Sequence, residues 1–327
     1  MSVAPEETTT PETITTPETI TATEESATTT SASATAMLRR ACGWLVPALG
    51  VLVVAVAGAG PALVPFSPID VVAKPDLSPG GDHPFGTDSA GMDVFSRTVA
   101  ATTNNLMIGL FTTVLATAVG ILLGLLVGMQ ESSRGPLGWV GGGGGRGLAA
   151  GPGRRGGGAP RAMARAIDLV QAVPAIVIGL VLIAFFGASV LSLALALTVV
   201  LTPNQARLVR TEVLRVRGEA YLDAARISGE PEYAVIVRHV LPNASWPALE
   251  NASLVFASAI VLTAGLGFLG VGLNPPTPEW GSMIASGAAA AVAGRWWAAL
   301  FPALALAATV VVVTAVGQRL FNRGPGR

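Results

Sequence analysis

The stretch LMIGLFTTVLATAVGILLGLLVGM, residues 106–129, runs for twenty-four residues without a charge. Roughly 20 apolar residues suffice for a helix to cross the hydrocarbon core of a bilayer. In a membrane, only helices and closed barrels satisfy every backbone polar group internally. The stretch therefore predicts a transmembrane helix. Polar Thr102, Thr103, Asn104 and Asn105 lead into it. Within it, Gly120, Gly124 and Gly128 recur at every fourth position and so share one face. A small-residue ladder of this kind lets a neighbouring helix backbone approach closely.

Five further apolar runs occur outside this one. They cover residues 44–64, 167–186, 190–201, 248–273 and 296–316. Gly187, Ala188 and Ser189 separate the third span from the fourth, and the short fourth run is expected to continue past Pro203 toward Ala206. Composition agrees with a membrane protein. Of the 327 residues, 51% are hydrophobic and 12% charged, where a soluble domain carries about 25% charge. The reading is an all-α membrane protein of about six transmembrane helices.

Orientation follows from the loops, because Lys and Arg concentrate on the cytoplasmic side. With the N-terminus inside, seventeen of the twenty basic residues fall in inner segments, and only Lys74, Arg97 and Arg295 fall outside. Both termini are thus expected to be cytoplasmic, in a multi-pass protein of the cell membrane. The outer segment before span two carries Asp70, Asp76, Asp82, Asp88 and Asp93 instead.

The expected organisation is a Thr/Glu/Pro-rich, disordered tail over 1–36 and a first helix within 37–65. An external loop with a surface helix follows over 66–100, its start capped by Asp88 or Ser89. The helical core covers 101–320 and includes a flexible Gly-rich inner loop at 135–160. A short cytoplasmic tail closes the chain at 321–327. The Gly-rich loop does not bind phosphate as a P-loop does, because no Gly-Lys-Ser/Thr follows it. The one cysteine, Cys42, excludes a disulfide framework and reads as a small interfacial residue. Trp280, Trp296 and Trp297 read as an interfacial aromatic belt. Asp168 and Glu250 fall near inner span ends, where helix termini tolerate charge.

Between spans four and five lies a polar stretch, 207–245, long enough for two or three short helices. Residues 219–227 carry helix formers between Gly218 and Gly229, and Gly229 has the position of a C-terminal cap. Ala220, Ala224 and Ala225 give this helix a small-residue face, beside charged Glu219, Asp223 and Arg226. Such a helix suits a groove on a partner protein. Tyr233, Ile236 and Val237 form a second apolar stripe, which Pro242 is expected to end.

Asp223-Ala224-Ala225, then Gly229, then Leu241-Pro242 resembles the EAA loop of ABC-importer permeases. Further stretches are similar to the C-type permease subunit of dipeptide, oligopeptide and nickel importers. They are His83-Pro84-Phe85-Gly86-Thr87-Asp88, Gly91-Met92-Asp93-Val94-Phe95-Ser96-Arg97, Arg238-His239-Val240-Leu241-Pro242-Asn243, Gly267-Phe268-Leu269-Gly270-Val271-Gly272, Pro275-Pro276-Thr277-Pro278-Glu279-Trp280-Gly281 and Trp297 to Pro302. Together they cover most of residues 83–320. The chain departs from that pattern at Asp223, where the family has Glu, at His239, where it has Ile, and at Met92, where it has Arg.

The resemblance implies a non-catalytic subunit forming half of a translocation pathway for peptides, nickel or other small solutes. Its partners would be a second homologous permease, one or two ABC ATPases, an extracytoplasmic solute-binding protein and membrane lipid; nucleic acid is not expected. Glu219, Ala220, Asp223, Ala224, Ala225, Gly229, Leu241 and Pro242 would couple to the ATPase. Gly86, Thr87, Asp88, Gly91, Asp93 and Arg97 would either contact the external partners or cap span two. No cofactor is expected in this chain, with ATP and Mg held by the partners. The residues agree independently, since Lys74 is the only lysine and lies outside, so the chain has no cytoplasmic lysine for a Walker A site. With His83 and His239 alone, on opposite sides, no metal site is expected. A proton- or sodium-coupled carrier is the rival reading. It needs carboxylates or broken helices at the midplane; the spans hold almost no carboxylates, and residues 265–272 are the one candidate break.

Overall fold

The computed structural model describes residues 47–60, 62, 64–130 and 158–321. The expectations for 1–36, for 322–327 and for nearly all of the Gly-rich loop lie outside these residues. Among the described residues every extended element is a helix, and pairing between extended segments is limited to two isolated bridges, Gly80 with His83 and Thr87 with Asp93.

Helix α1 covers Pro47–Gly60. Helix α2, Val94–Gln130, runs for 37 residues. Helices α3, Gly158–Ala172, and α4, Ala175–Phe186, follow. Helix α5 is Val190–Val216. Then come α6, Ala220–Ile227, α7, Glu232–Val235, a π-helical turn at Ile236–Val240, and α8, Leu241–Glu250. Helices α9, Ala252–Phe268, α10, Trp280–Ala291, and α11, Trp297–Phe321, complete the order.

Three helices, α2, α5 and α11, are long and apolar enough to cross a membrane. The count reaches five if two bent pairs are each one span: the end of α3 with α4, bent by 92°, and the α7–α8 segment with α9, bent by 43°. The third span is thus not the straight helix expected over 167–186. Pro174 breaks it, because proline biases the preceding residue, Val173, away from helix and lacks an N–H itself. Pro174 then opens α4 with an extended backbone, φ −54° and ψ 130°. Helix α4 stops at Gly187, φ 78°, and Ser189 caps α5 by accepting the Ser192 N–H at 3.1 Å.

Helix α5 continues through Pro203 for more than a turn beyond the expected end near Ala206. Polar composition hid the extension, yet Val209, Val213 and Val216 recur at helical spacing and are buried. They lie against the glycine face of α2. A Cβ at Gly120 would collide with that of Gln205; one at Gly124 would lie 2.6 Å from the Ala206 carbonyl; one at Gly128 would lie 2.7 Å from Val213 Cγ1. The two backbones are therefore as close as the absence of side chains allows.

Pro242 does not end the helix that precedes it. The π turn, closed by Leu241 N–H donating to the Ile236 carbonyl, brings Pro242 into the first turn of α8, where a missing N–H is tolerated. The Asn243 side chain donates to the His239 carbonyl at 2.7 Å. Helix α9 is shorter than the apolar run suggested and stops at Gly270, φ 82°, with Val271 N–H on the Leu266 carbonyl.

Candidate functional sites at the two ends of helix α2

At its C-terminal end α2 meets the polar segment after α5. Arg217 donates to the carbonyls of Gly128 and Met129, at 2.7 and 3.1 Å, so a cation closes the negative end of the helix. Glu219 takes the N-cap position of α6 with extended backbone. Leu222 is the one fully buried residue of α6, packed with Val209, Val213, Val216, Val235, Val240, Ala244 and Ala248. This cluster fastens α6 to α5 and α8, and Ala225 packs on its edge.

Gly229 N–H donates to the Arg226 carbonyl at 3.0 Å, and Glu230 N–H to the Ala225 carbonyl at 3.2 Å. With Gly229 at φ 86°, this is a Schellman motif. The space where a Gly229 Cβ would stand is empty, so glycine is required by its φ and not by crowding.

The outer side of α6 is left bare. Ile227 is 87% exposed and Tyr233 73%, and the Asp223 side chain is 74% exposed; Ala220, Ala224 and Val237 are exposed as well. Ion pairs knit its edges. Arg226 reaches Asp223 at 3.1 Å and Glu232 at 3.3 Å, and His239 reaches Glu230 at 3.2 Å. The Glu232 carboxylate, ahead of Asp223, raises the Arg226 guanidinium further above its ordinary value against the opposing effect of burial. The apolar stripe Tyr233, Ile236 and Val237 is not the face of this segment that packs into the core. Val235 and Val240 take that role, Ile236 is half-buried, and Tyr233 and Val237 face outward. Leu241 is half-buried and Pro242 exposed.

The N-terminal end of α2 lies roughly 55 Å along the helix. The segment before it, residues 64–93, contains no helix, so the expected surface helix does not form. The cap is Asp93, not Asp88 or Ser89. Its Oδ2 accepts the Ser96 N–H at 2.8 Å, and its Oδ1 lies 2.9 Å from His83 Nδ1. Asp88 turns inward instead and accepts the N–H groups of Ala90 and Met92, each at 2.9 Å. Gly86 and Gly91 hold φ of 72° and 83°. Thr87 is fully buried; its hydroxyl donates to the Lys74 carbonyl at 2.7 Å and accepts Leu77 N–H at 2.8 Å. Arg97, also buried, reaches the carbonyls of Pro68 and Pro276, with Asp88 at 3.6 Å. Arg295 pairs with Asp76.

Two of the three tryptophans expected at a membrane interface are buried here. Trp280 donates to the Thr98 carbonyl at 3.1 Å, and Trp297 to the Thr87 carbonyl at 3.0 Å. Only Trp296 is exposed. Sequence reasoning missed Glu279 and the helix α10 that it caps. The Glu279 carboxylate, fully buried, accepts Gly281 N–H at 2.7 Å and Ser282 N–H at 2.9 Å. Burial pushes its pKa up, and those two hydrogen bonds pull in the opposite direction. Gly267, Gly272 and Gly281 make room for it and for the α9–α10 contact. Among the described residues there is no group of three His, Cys, Asp or Glu able to hold a metal.

The family model described as binding-protein-dependent transport system inner membrane component matches residues 143–324, more than half of the chain. The chain belongs to this family.

As a member of it, the protein is a multi-pass component of a membrane transport system. The chain is 31% identical over 267 residues to the Di/tripeptide transport system permease protein DppC of Pseudomonas aeruginosa, covering 80% of each chain. It is 34% identical over 256 residues to the probable D,D-dipeptide transport system permease protein DdpC of Escherichia coli, covering 78% of this chain and 75% of that one. An inward-facing structure of the MetNI methionine ABC transporter shares the fold, with a TM-score of 0.53 at 17% identity, over 69% of this chain and 95% of that one.

Proposed function

We propose that this chain forms half of the translocation pathway of an ATP-driven importer of di- and oligopeptides, with α6 as the helix that a separate ATPase grips. The peptide substrate is carried over from the curated relatives, named for transport of dipeptides and tripeptides. The single observation that carries the coupling role is α6 itself: a short helix held by one buried leucine, closed by a glycine cap and bare on its outer side. A surface of this shape is what a groove on a partner receives.

In this reading both chain ends are cytoplasmic, a homologous permease supplies the other half of the pathway, and a solute-binding protein delivers the peptide outside. One or two ATPase subunits hold ATP and Mg; this chain does no chemistry and carries no cofactor. Closure of the ATPases displaces α6. Leu222 passes the displacement to α5 and α8, which share its cluster, and α8 passes it to α9 across the 43° bend. The pathway then alternates between inward-open and outward-open states, a bistable helix rearrangement.

The test is affinity purification of the tagged chain from its own membranes. An ABC ATPase should come with it, and replacing Asp223 by Arg together with Gly229 by Val should release that ATPase while the chain remains folded. A chain that transports peptide alone, or whose 219–243 segment reacts with impermeant reagents from outside, would overturn the proposal.

A further inference from the structure

At the junction of α8 and α9 one side chain ties four segments together. Gln205, on α5, is fully buried. Its Nε2 donates to Thr117 Oγ1 on α2 at 3.1 Å and to the Ala248 carbonyl on α8 at 3.2 Å. Its Oε1 accepts from Asn251 Nδ2 at 3.2 Å. Asn251 is at once the C-cap of α8 and the N-cap of α9, the residue at the 43° bend. The Gln205 Cβ fills the position a side chain on Gly120 would need, so the amide is clamped against α2 from behind.

A buried amide is a poor route to stability, since an apolar side chain of similar volume packs as well without desolvating polar atoms. What this amide supplies is direction. Both Nε2 donors and the Oε1 acceptor are used, one bond going to α2 and two to α8 and its cap at the bend. Slippage of α8 along α5 would break the Ala248 and Asn251 bonds together, whereas rotation about the bend keeps their common anchor. We propose that Gln205 is a positioning residue for transport. It is the pivot that converts displacement of α8 into a change of tilt of α9, and this rests on the coupling role proposed for α6.

The test needs no knowledge of the solute. In the complex purified with its ATPase, Cys42 is replaced by Ser, and Leu269, exposed at the far end of α9, by Cys carrying an environment-sensitive fluorophore. ATP with vanadate should change the emission of the parent complex. In Gln205→Leu, co-purified ATPase and its ATP hydrolysis should stay near the parent level while the emission change shrinks roughly fivefold, as loss of coupling predicts. Asn251→Ala removes one of the three bonds and should give an intermediate loss. The double variant should do no worse than Gln205→Leu alone, because the bonds belong to one unit. If Gln205→Leu does not fold, Asn251→Ala decides in the same way. A full emission response in these folded variants overturns the pivot while leaving the coupling role standing. Absence of any ATPase, or of any ATP response, in the parent complex overturns the coupling role and the pivot with it.

Discussion

The two ends of α2 differ in how their polar groups are used. Around Val94, the polar side chains of Thr87, Asp93, Arg97, Glu279 and two tryptophan indoles are buried and bonded within the chain. Around Gln130, the segment 219–243 keeps one buried leucine in its first helix and turns its charges and Ile227 and Tyr233 outward. The first end uses most of its polar groups internally, although Ile69, Val71 and Trp296 stay exposed beside it. A bare end exposes apolar area and loosely paired charge that only a partner covers. Substitutions should therefore unfold the first end and unpartner the second. The four that follow run from the largest expected effect on stability to the smallest.

Gly281→Leu should be the most damaging. A Cβ there would strike the Ala264 carbonyl and stand 2.7 Å from Ala264 Cα, which is helix backbone and cannot move aside. Overpacking of this kind costs about 3 kcal/mol or more. The folded, monodisperse fraction in detergent, read by size-exclusion chromatography, should collapse. A normal elution profile would show that this end is less tightly assembled than its hydrogen bonds indicate.

Glu279→Ala should come next. It leaves the Gly281 and Ser282 N–H groups buried without an acceptor, at a cost of about 2 kcal/mol. The pH dependence has a definite sign. Burial raises the carboxyl's folded pKa above its unfolded one. Its contribution to stability is therefore fullest in acid and falls as pH rises from the ordinary carboxylate range through the raised folded value. Glu279→Gln should remove that slope from a plot of thermal midpoint against pH. An unchanged slope would place its origin in another group.

How far these differences could be read from the sequence depends on whether their cause is local. The apolar runs of α2 and α11 and the Gly229 cap are local properties and were legible. So was the break at Val173-Pro174, but an average over the apolar window concealed it. The end of α5 was obscured because its burial comes from distant elements: Val209 and Val213 pack on the glycine ladder of α2 and on Leu222, Val235, Val240, Ala244 and Ala248. The tryptophans misled for the same reason, since an indole at an interface and one buried on a carbonyl look alike in sequence. Glu279 is not a common N-cap residue, and nothing nearby marks it as buried. Gln205 did leave a sign, the Asn204-Gln205 pair of amides in a largely apolar part of α5, but uncharged amides vanish in a hydropathy average.

Gly229→Val addresses the bare end. A β-branched residue at φ 86° costs about 1–2 kcal/mol of backbone strain and meets no steric obstacle. The chain should still fold. The cap, and with it the end of α6, should be displaced, so that ATP hydrolysis by the bound ATPase no longer drives transport. Intact transport by this variant would sink the assignment of α6 as the coupling helix.

Ile227→Asp should change stability least, since a side chain 87% exposed contributes little to packing. Surface substitutions of this type stay within about 0.5 kcal/mol. Its effect should appear in the partner instead. An isoleucine this bare in water costs nothing to remove from the chain, but buried in a groove it becomes a contact of the kind that dominates an interface. Introducing a carboxylate there forces a charge into that groove or keeps the groove open. The thermal midpoint of the isolated chain should be unchanged while co-purified ATPase falls at least about tenfold. Equal losses of both would mean that Ile227 belongs to the fold. Retention of both would mean that the partner grips some other face, and the contrast between the two ends of α2 would then not be one between structure and docking.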